Sequence, residues 1–265
     1  MSVLDLGKLL APIAEDNPTG DDLEYDAELT ELERTAQGKP ERVMGNEVQP
    51  AEDPDWAEVQ SQAEALFGRT KDLRVAVHLA RAALARHGVA GLADSLSLIQ
   101  QLLDTYWDGI HPRLDPDDDN DPTSRLNCVL PLADRTGFVA MIRATPIVSS
   151  PQLGRFSFRD FLVATGEMQS PAGADTAPPD AAQIDGAFMD ANVEDLSATN
   201  AALEAALASV VAIGNGISAR VSSGYAPDLD PLQQMLQEMR DLVTERLARR
   251  GIGTVATSDD GAQGA

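Results

Sequence analysis

The chain has 265 residues, of which 43% are hydrophobic and 24% are charged, a composition typical of a globular protein with one or two domains. Its 43 acidic and 20 basic residues give a formal net charge of −23, which disfavours nucleic acids and anionic membrane surfaces as partners. A single cysteine, Cys128, excludes a disulfide within the chain. The sequence contains no recognisable signal peptide or membrane-spanning segment, so we expect a cytoplasmic protein without membrane insertion.

The first predicted elements follow a turn-rich segment at 17–26. An amphipathic pattern at 25–37 predicts a helix that ends at the following Gly-Lys-Pro sequence. Residues 38–54 show little periodicity and are predicted to form an extended surface loop, which is a candidate contact element. Asp55 then has the position of a helix cap, because apolar residues recur at spacings of three and four as far as Phe67.

The middle of the chain is predicted to form the centre of a helical bundle. Asp72 is the expected cap of an apolar helix that begins at Leu73 and ends at Gly88. A further apolar stretch, 92–107, predicts the next helix. Because the connections between these helices are short, we expect them to pack as an antiparallel bundle.

The second half of the N-terminal region carries weaker signals. Residues 122–142 are expected to form one helix, with Pro131 as the point at which it would kink. Short runs of Val, Ile and Phe at 147–163 predict at most a small β-hairpin. The Pro-, Ala- and Gly-rich stretch 168–180 is predicted to be a linker. The fold class is therefore mainly α, with a helical-bundle N-terminal domain followed by a helical-hairpin second domain.

The predicted linker sets the expected domain boundaries. They are a helical domain at 1–167, a second helical domain at 181–251 and a disordered tail at 252–265. The last predicted helix, 231–250, carries an apolar stripe that repeats nearly in sevens. We interpret this stripe as a candidate self-association surface. Its members are Leu232, Met235, Leu236, Met239, Leu242 and Val243.

Motifs with reactive or metal-binding chemistry are absent from the sequence. The aspartate run at 115–121 superficially resembles a calcium loop, but it lacks the turn glycine and the final acidic ligand. His78 and His87 fall on opposite helix faces, and His111 is expected to end the preceding helix rather than to bind a metal. Cys128 lies on an apolar helix face, where cysteines are usually inert. We therefore predict no enzyme, no cofactor and no metal site.

Two adjacent aromatic residues stand out because aromatic residues are scarce. Tyr106 and Trp107 cannot both point into the same core. One of them either lies at the core boundary or lines a groove for a partner, and the sequence leaves both interpretations open.

Six sequence blocks occur in an order and at a spacing that resemble a known family. They are NPTGDDLEYD (17–26), GKPE (38–41), PDW (54–56), KDLRVAVHLARAAL (71–84), GL (91–92) and YWDGIHPRLDPDDDNDPTSRLN (106–127). Each block alone is a weak signal, but the ordered set is specific. Together they resemble the ImpA N-terminal domain of the TssA family, a component of bacterial type VI secretion systems.

The resemblance implies a non-enzymatic structural subunit that contacts baseplate, sheath or tube proteins. It also implies homo-oligomerisation, which in this family usually depends on a C-terminal domain that we do not find in this sequence. The family motif positions are expected to define the fold, with Arg74 and Arg125 paired to acids such as Asp72 or Asp115. These positions are Trp56, Asp72, Leu73, Arg74, Trp107, His111, Asp115, Arg125 and Asn127.

Two alternative functions remain open at this point. The net charge of −23 is also typical of an acidic adaptor or chaperone that binds a basic effector, in which case binding should weaken strongly with salt. A metal-dependent hydrolase built on His111 and the aspartate run is the other alternative, and it requires stoichiometric metal.

Overall fold

The computed structural model describes residues 2–39, 42–44, 47–170, 179–221 and 226–252, with the backbone alone described at 42–44 and 47–49. The fold is mainly helical, as predicted. The helices are α1 (Leu6–Leu10), α2 (Ala27–Thr35), α3 (Trp56–Leu66), α4 (Leu73–Tyr106), α5 (Thr123–Val129), α6 (Phe138–Ala144), α7 (Phe158–Ala164), α8 (Ala181–Asp190), α9 (Val193–Ser218) and α10 (Asp230–Arg249). The strands form two antiparallel hairpins, β1 (Arg42–Met44) with β2 (Glu47–Gln49), and β3 (Pro146–Ser150) with β4 (Gly154–Ser157).

The helix caps that the sequence predicted are present. The side chain of Asp55 accepts hydrogen bonds from the backbone N–H groups of Ala57 and Glu58, 3.0 and 3.1 Å away. Asp72 caps α4 in the same way. These bonds satisfy N–H groups that have no partner within the first helical turn, so they fix where each helix begins.

The long helix α4 is a helical hairpin rather than one rod. Gly88 has φ +63° and ψ −143°, a conformation outside the helical region that side-chain-bearing residues rarely adopt. The chain reverses there, because residues 72 and 111 at the opposite end form a bridge and the Leu73 N–H donates to the His111 carbonyl at 2.9 Å. The sequence predicted both arms and placed their boundary at Gly88.

The α4 hairpin is at the centre of the molecule. Most residues of its first arm are apolar, and α1, α2, α3, α5, α6 and α9 all contact α4. α9 also packs against α10, so a single hydrophobic core extends from α1 to α10. The division at 168–180 into two domains stays a prediction. Residues 171–178 of the predicted linker and 253–265 of the predicted tail lie outside the described residues.

Helix α9 is more apolar than we expected from the sequence. Within the described residues, α9 alone is long and apolar enough to cross a bilayer by length and composition, contrary to the expectation that no segment would be. The central helix of a soluble protein meets the same description. In this fold α9 packs against α4 and α10.

Two other expectations about local structure are wrong. The loop predicted at 38–54 contains the β1–β2 hairpin, which is closed by paired backbone bonds of 2.9 Å between Lys39 and Glu52. Its three-residue strands are too short to give a periodic signal. The helix predicted at 122–142 is divided into α5, a 3-10 turn at Leu130–Ala133 and α6.

The division of the 122–142 segment has a local cause. Pro131 has no backbone N–H to continue the helical ladder. The Asp134 carboxylate accepts bonds from the Thr136 N–H and hydroxyl at 2.9 and 2.8 Å, which stabilises a turn in place of a helix. The predicted small β-hairpin is confirmed as β3–β4. α7 follows it directly, with a reciprocal cap between Ser157 and Asp160.

Replacing Gly88 with alanine should destabilise the fold by roughly 2 kcal/mol or more, because an alanine at positive φ is strained. A Cβ atom there would lie 3.7 Å from the Thr145 Cγ2 atom, an ordinary contact, so the cost comes from the backbone alone. Gly214→Ala, within α9, is the matched control and should leave stability unchanged or raise it by up to about 1 kcal/mol. Urea unfolding measures both, and a Gly88→Ala variant as stable as the parent would contradict the hairpin.

Candidate functional site

Three of the family blocks meet at the end of the α4 hairpin opposite Gly88. We call this region the hairpin base and define it as residues 19–22, 70–74 and 107–112. It brings together Asp72, Leu73, Arg74, Trp107 and His111 of the motif residues that the sequence singled out.

Backbone hydrogen bonds join the three segments of the hairpin base. The Lys71 N–H donates to the Thr19 carbonyl at 2.7 Å, and the His111 N–H donates to the Lys71 carbonyl at 2.9 Å. The Leu73 N–H donates to the His111 carbonyl at 2.9 Å. Because buried backbone groups must find partners, these bonds fix the relative position of three distant parts of the chain.

A carboxylate–arginine network surrounds the start of α4. Asp72, which is fully buried, accepts a bond from the Arg74 N–H at 2.7 Å and pairs with the Arg74 guanidinium at 2.6 Å. Asp22 contacts the same guanidinium at 3.1 Å. Burial alone would lower the pKa of Arg74, but its bonds to Asp72 and Asp22 raise the pKa overall. The Arg74–Asp72 pair is one that the sequence predicted.

His111 lies inside the hairpin base and is 1% exposed. The sequence predicted that it ends the preceding helix, but α4 ends earlier, at Tyr106, and His111 bridges to Asp72 in extended conformation. Its Nε2 atom lies 3.2 Å from the Gly20 carbonyl, and its Nδ1 atom lies 3.7 Å from an Asp22 oxygen. Both contacts are with the 19–22 segment, so they orient the ring toward that segment.

Lys71 is a buried charge whose importance the sequence did not reveal. Its Nζ atom donates to the carbonyls of Leu9 and Phe67 at 2.8 and 3.0 Å and lies 5.7 Å from the centre of the Phe67 ring. Desolvation by burial lowers the pKa of Lys71 to about 8. The ammonium group therefore holds α1 and the end of α3 against the hairpin base.

Arg125 is held differently from the way the resemblance implied. We expected an acidic partner, but its guanidinium donates to three backbone carbonyls, those of Trp107, Ile110 and Pro112, at 2.6, 2.9 and 2.9 Å. The residue is 1% exposed, and burial lowers its pKa to about 10. Its planar fork of donors matches the carbonyls of the 107–112 segment, so Arg125 fixes the shape of that segment.

The two adjacent aromatic residues are both used within the chain. The Tyr106 hydroxyl donates to the Leu10 carbonyl at 2.6 Å. The Trp107 ring lies between two guanidinium groups, 4.8 Å from that of Arg125 and 5.3 Å from that of Arg220. Trp107 thus links the hairpin base to the residues that follow α9.

The other motif residues lie away from the hairpin base. Trp56 begins α3 and lies 5.4 Å from the Arg81 guanidinium. Asp115 is exposed and accepts a bond from the Asp117 N–H at 2.8 Å, so it caps a 3-10 turn and does not pair with Arg125. Asn127 is exposed on α5.

The candidate self-association stripe of α10 is part of the core in this structure. All six residues are buried, with exposures between 0 and 6%, and α10 packs on α9. An apolar stripe at helical spacing has the same sequence pattern whether it faces its own chain or a partner. The stripe therefore provides no exposed surface, and self-association through it would require α10 to leave the core. The stripe residues are Leu232, Met235, Leu236, Met239, Leu242 and Val243.

Reactive groups do not converge in the part of the chain that the structure describes. No group of three or more His, Cys, Asp and Glu residues there could hold a metal ion. Burial raises the pKa of the Cys128 thiol to about 12, so the thiol is protonated at neutral pH. Lys71, Asp72, Arg74 and Asp22 of the hairpin base bind the backbone or one another, which is the arrangement of a structural site.

Several residues of the hairpin base were missed because their partners are far away in sequence. Asp22 lies in a motif block but is 52 residues from Arg74, and Lys71 is 62 residues from Leu9. Outside the hairpin base, Asp94 was also missed; its carboxylate accepts bonds from the N–H groups of Val3 and Leu4 at 2.5 and 3.0 Å. The sequence signal that could have pointed to these contacts was the presence of aspartates and a lysine in the NPTGDD and KDLR blocks.

Comparison with known proteins identifies the family. Residues 10–134, which include the hairpin base, match the family model described as ImpA, N-terminal, type VI secretion system. The chain is 46% identical over 241 residues to the type VI secretion system component TssA1 of Pseudomonas aeruginosa, a match that covers 89% of this chain and 67% of that protein. The chain belongs to the TssA family.

A solved structure supports the same assignment. The fold matches the N-terminal domain, including the conserved ImpA_N region, of the TssA component of the type VI secretion system from Burkholderia cenocepacia. The TM-score is 0.74 at 28% identity, and the match covers 94% of this chain and 96% of that one. The resemblance to the TssA family that the ordered sequence blocks indicated is thereby confirmed.

Replacing Asp72 with alanine should destabilise this TssA-family chain by about 3 kcal/mol, because it leaves Arg74 without its closest partner and removes the α4 cap. Glu52→Ala is the matched control. It breaks the exposed Lys39–Glu52 pair, whose side chains are 73 and 65% exposed, and should change stability by less than about 1 kcal/mol. Equal effects of the two substitutions in urea unfolding would show that the hairpin base does not depend on Asp72.

Lys71 should make stability rise with pH in an alkaline window. The unfolded lysine keeps its proton up to about pH 10.5, whereas the folded one loses it near pH 8. Between these values the unfolded chain binds more protons, so the contribution of Lys71 increases the free energy of unfolding by roughly 3 kcal/mol as the pH rises from about 8 to about 10.5.

Unfolding by urea across that window, in the parent and in Lys71→Met, measures this contribution. The free energy of unfolding of the parent, minus that of Lys71→Met, should rise with pH, because the variant lacks the titrating group. Lys8→Met, at an exposed lysine, is the control for the loss of one lysine charge. A pH-independent difference for Lys71→Met would show that the ammonium is not desolvated.

Proposed function

We propose that this chain is a non-enzymatic assembly subunit of a type VI secretion system that acts in the cytoplasm and contacts baseplate, sheath or tube proteins. The observation that carries the proposal is the hairpin base. There Lys71, Asp72 and Arg74 make hydrogen bonds within the chain, and Arg125 donates to the base from α5, as structural residues do. Membership of the TssA family supports a role in type VI secretion, because the relative from Pseudomonas aeruginosa is named as a component of that system.

Tyr25 is the residue that we propose for contact with another component. Its side chain is 93% exposed, although it belongs to the same motif block, 17–26, that supplies Asp22 to the hairpin base. Tyrosine is enriched among residues that dominate binding energy, because its ring contributes a large contact area at little cost in conformational entropy. The hairpin base, which includes Asp22 of the same block, would hold the backbone of Tyr25 in place for such a contact.

Binding to separately purified baseplate, sheath and tube proteins of the same system tests the proposal, with biolayer interferometry as the measurement. We expect at least one component to bind, and Tyr25→Ala to weaken that binding by about tenfold without lowering the melting temperature. Met189→Ala truncates another exposed apolar side chain, 57% exposed on α8, and should leave binding within about twofold. Failure of every component to bind would contradict the assembly function.

The acidic-adaptor function is the second candidate, and the net charge of −23 favours it. It predicts that the chain binds a basic effector and that this binding collapses as salt rises from low to physiological strength and beyond. An interface anchored by Tyr25 predicts a weaker salt dependence, because its contact area is largely apolar. The same binding experiment repeated over a salt series separates the two functions.

A further inference from the structure

A cavity of about 680 Å³ lies at the end of the α4 hairpin opposite the hairpin base. Gly88 and its neighbours form one wall, residues from Met141 to Pro146 form another, and Ala198, Thr199 and Ala202 of α9 form a third. Each arm of the hairpin is about fifteen residues or more in length, so the cavity lies roughly 20 Å from the hairpin base. Its volume is in the range of ligand-binding sites.

The charge of this cavity is opposite to that of the protein. Arg86, His87 and Arg155 line it, and none of its lining residues is Asp or Glu, although the chain carries a net charge of −23. Among the described residues, no carboxylate oxygen lies within 4.0 Å of a side-chain nitrogen of these three residues. An acid does occur nearby, because Asp195 lines a smaller adjoining cavity that shares Arg155.

Gln60 holds two of the basic side chains side by side. Its Oε1 atom accepts a bond from the Arg86 guanidinium at 2.7 Å and lies 3.3 Å from His87 Nε2. Gln60 is only 7% exposed, and its amide nitrogen donates to Glu64 at 2.7 Å, so the amide orientation is fixed. Among the described residues, this is the one acceptor of the Arg86 guanidinium, so its other donors remain for a ligand. Gln60 thus fixes the position of the Arg86 guanidinium, with the His87 ring beside it, next to the hairpin turn at Gly88.

Apolar side chains lie beside these basic residues. Leu84, Val89 and Met141 line the same cavity together with the alanines of α9. A cavity that combines guanidinium groups with an apolar wall is complementary to a peptide that carries both carboxylates and apolar side chains. The net charge of the protein repels acidic peptides and phosphate-rich polymers alike at long range, so the apolar wall is the feature that favours the peptide.

We propose that this cavity binds an acidic, partly apolar peptide segment of a partner protein, with Arg86 and Arg155 holding a carboxylate of the peptide. The proposal rests on the assembly function above and adds the chemistry of one partner. It concerns a surface separate from Tyr25, so the two contacts can be tested independently.

Fluorescence anisotropy with the full chain tests the proposal. The probe is a short labelled peptide of Glu and Leu residues with an amidated C-terminus, and the matched peptide has Gln in place of every Glu. We expect the Glu peptide to bind at least about tenfold more tightly than the Gln peptide, which corresponds to the difference that one charge-assisted contact makes. Arg155→Gln should weaken binding of the Glu peptide by about tenfold.

Three variants complete the design. Arg86→Gln should weaken binding as Arg155→Gln does, and circular dichroism checks that loss of the bond to Gln60 leaves the fold intact. Arg155 makes no side-chain hydrogen bond or ion pair with another described residue, so its variant carries the test if Arg86→Gln is unstable. Arg135→Gln removes an exposed arginine elsewhere and should change binding by less than about twofold. Asp195→Asn should strengthen binding, because it removes the nearby negative charge.

Four outcomes would overturn the proposal. They are no binding of the Glu peptide, equal binding of the Glu and Gln peptides, equal losses in Arg155→Gln and Arg135→Gln, and displacement of the peptide by inorganic phosphate at equal concentration. The last outcome would make this a site for small anions. None of these outcomes depends on type VI components, so a failure here leaves the assembly function to its own test.

Discussion

The backbone bonds that close the α4 hairpin at its base are the constraint on which the rest of this fold depends. Through them three segments that are far apart in sequence meet, at Thr19, at Lys71 and Leu73, and at His111. A reversal at Gly88 alone would leave two apolar arms free to separate, and closing the base sets their spacing. The other helices then pack on a surface that is already defined, which explains why α4 contacts most of them.

Each element of the fold was predictable to the extent that the residues that determine it lie close together in the sequence. Asp55, Asp72 and Gly88 act on their own neighbours, so the ends of α3 and the arms of α4 were predictable. The interruption after α5 depends on a turn at Asp134, whose side-chain bonds compete with a helix that apolar periodicity also permits. The β1–β2 hairpin is too short to produce a pattern.

The candidate site was less predictable, for the same physical reason. Arg74 and Asp72 are two residues apart, and their pairing followed from the sequence. Arg125 resembles a salt-bridge residue, but its partners are carbonyls, which every residue possesses and no sequence pattern marks. The stripe on α10 shows a related limit, since apolar periodicity indicates that a face is covered without indicating what covers it.

The position of Trp107 between Arg125 and Arg220 makes the indole a natural spectroscopic reporter. The chain has two tryptophans, Trp56 and Trp107, so a Trp56→Phe protein would emit from one known place. Arg220 follows α9, and its distance from the ring depends on how that helix lies against the hairpin. Emission wavelength and quenching would therefore follow motions of α9 in solution without any added dye.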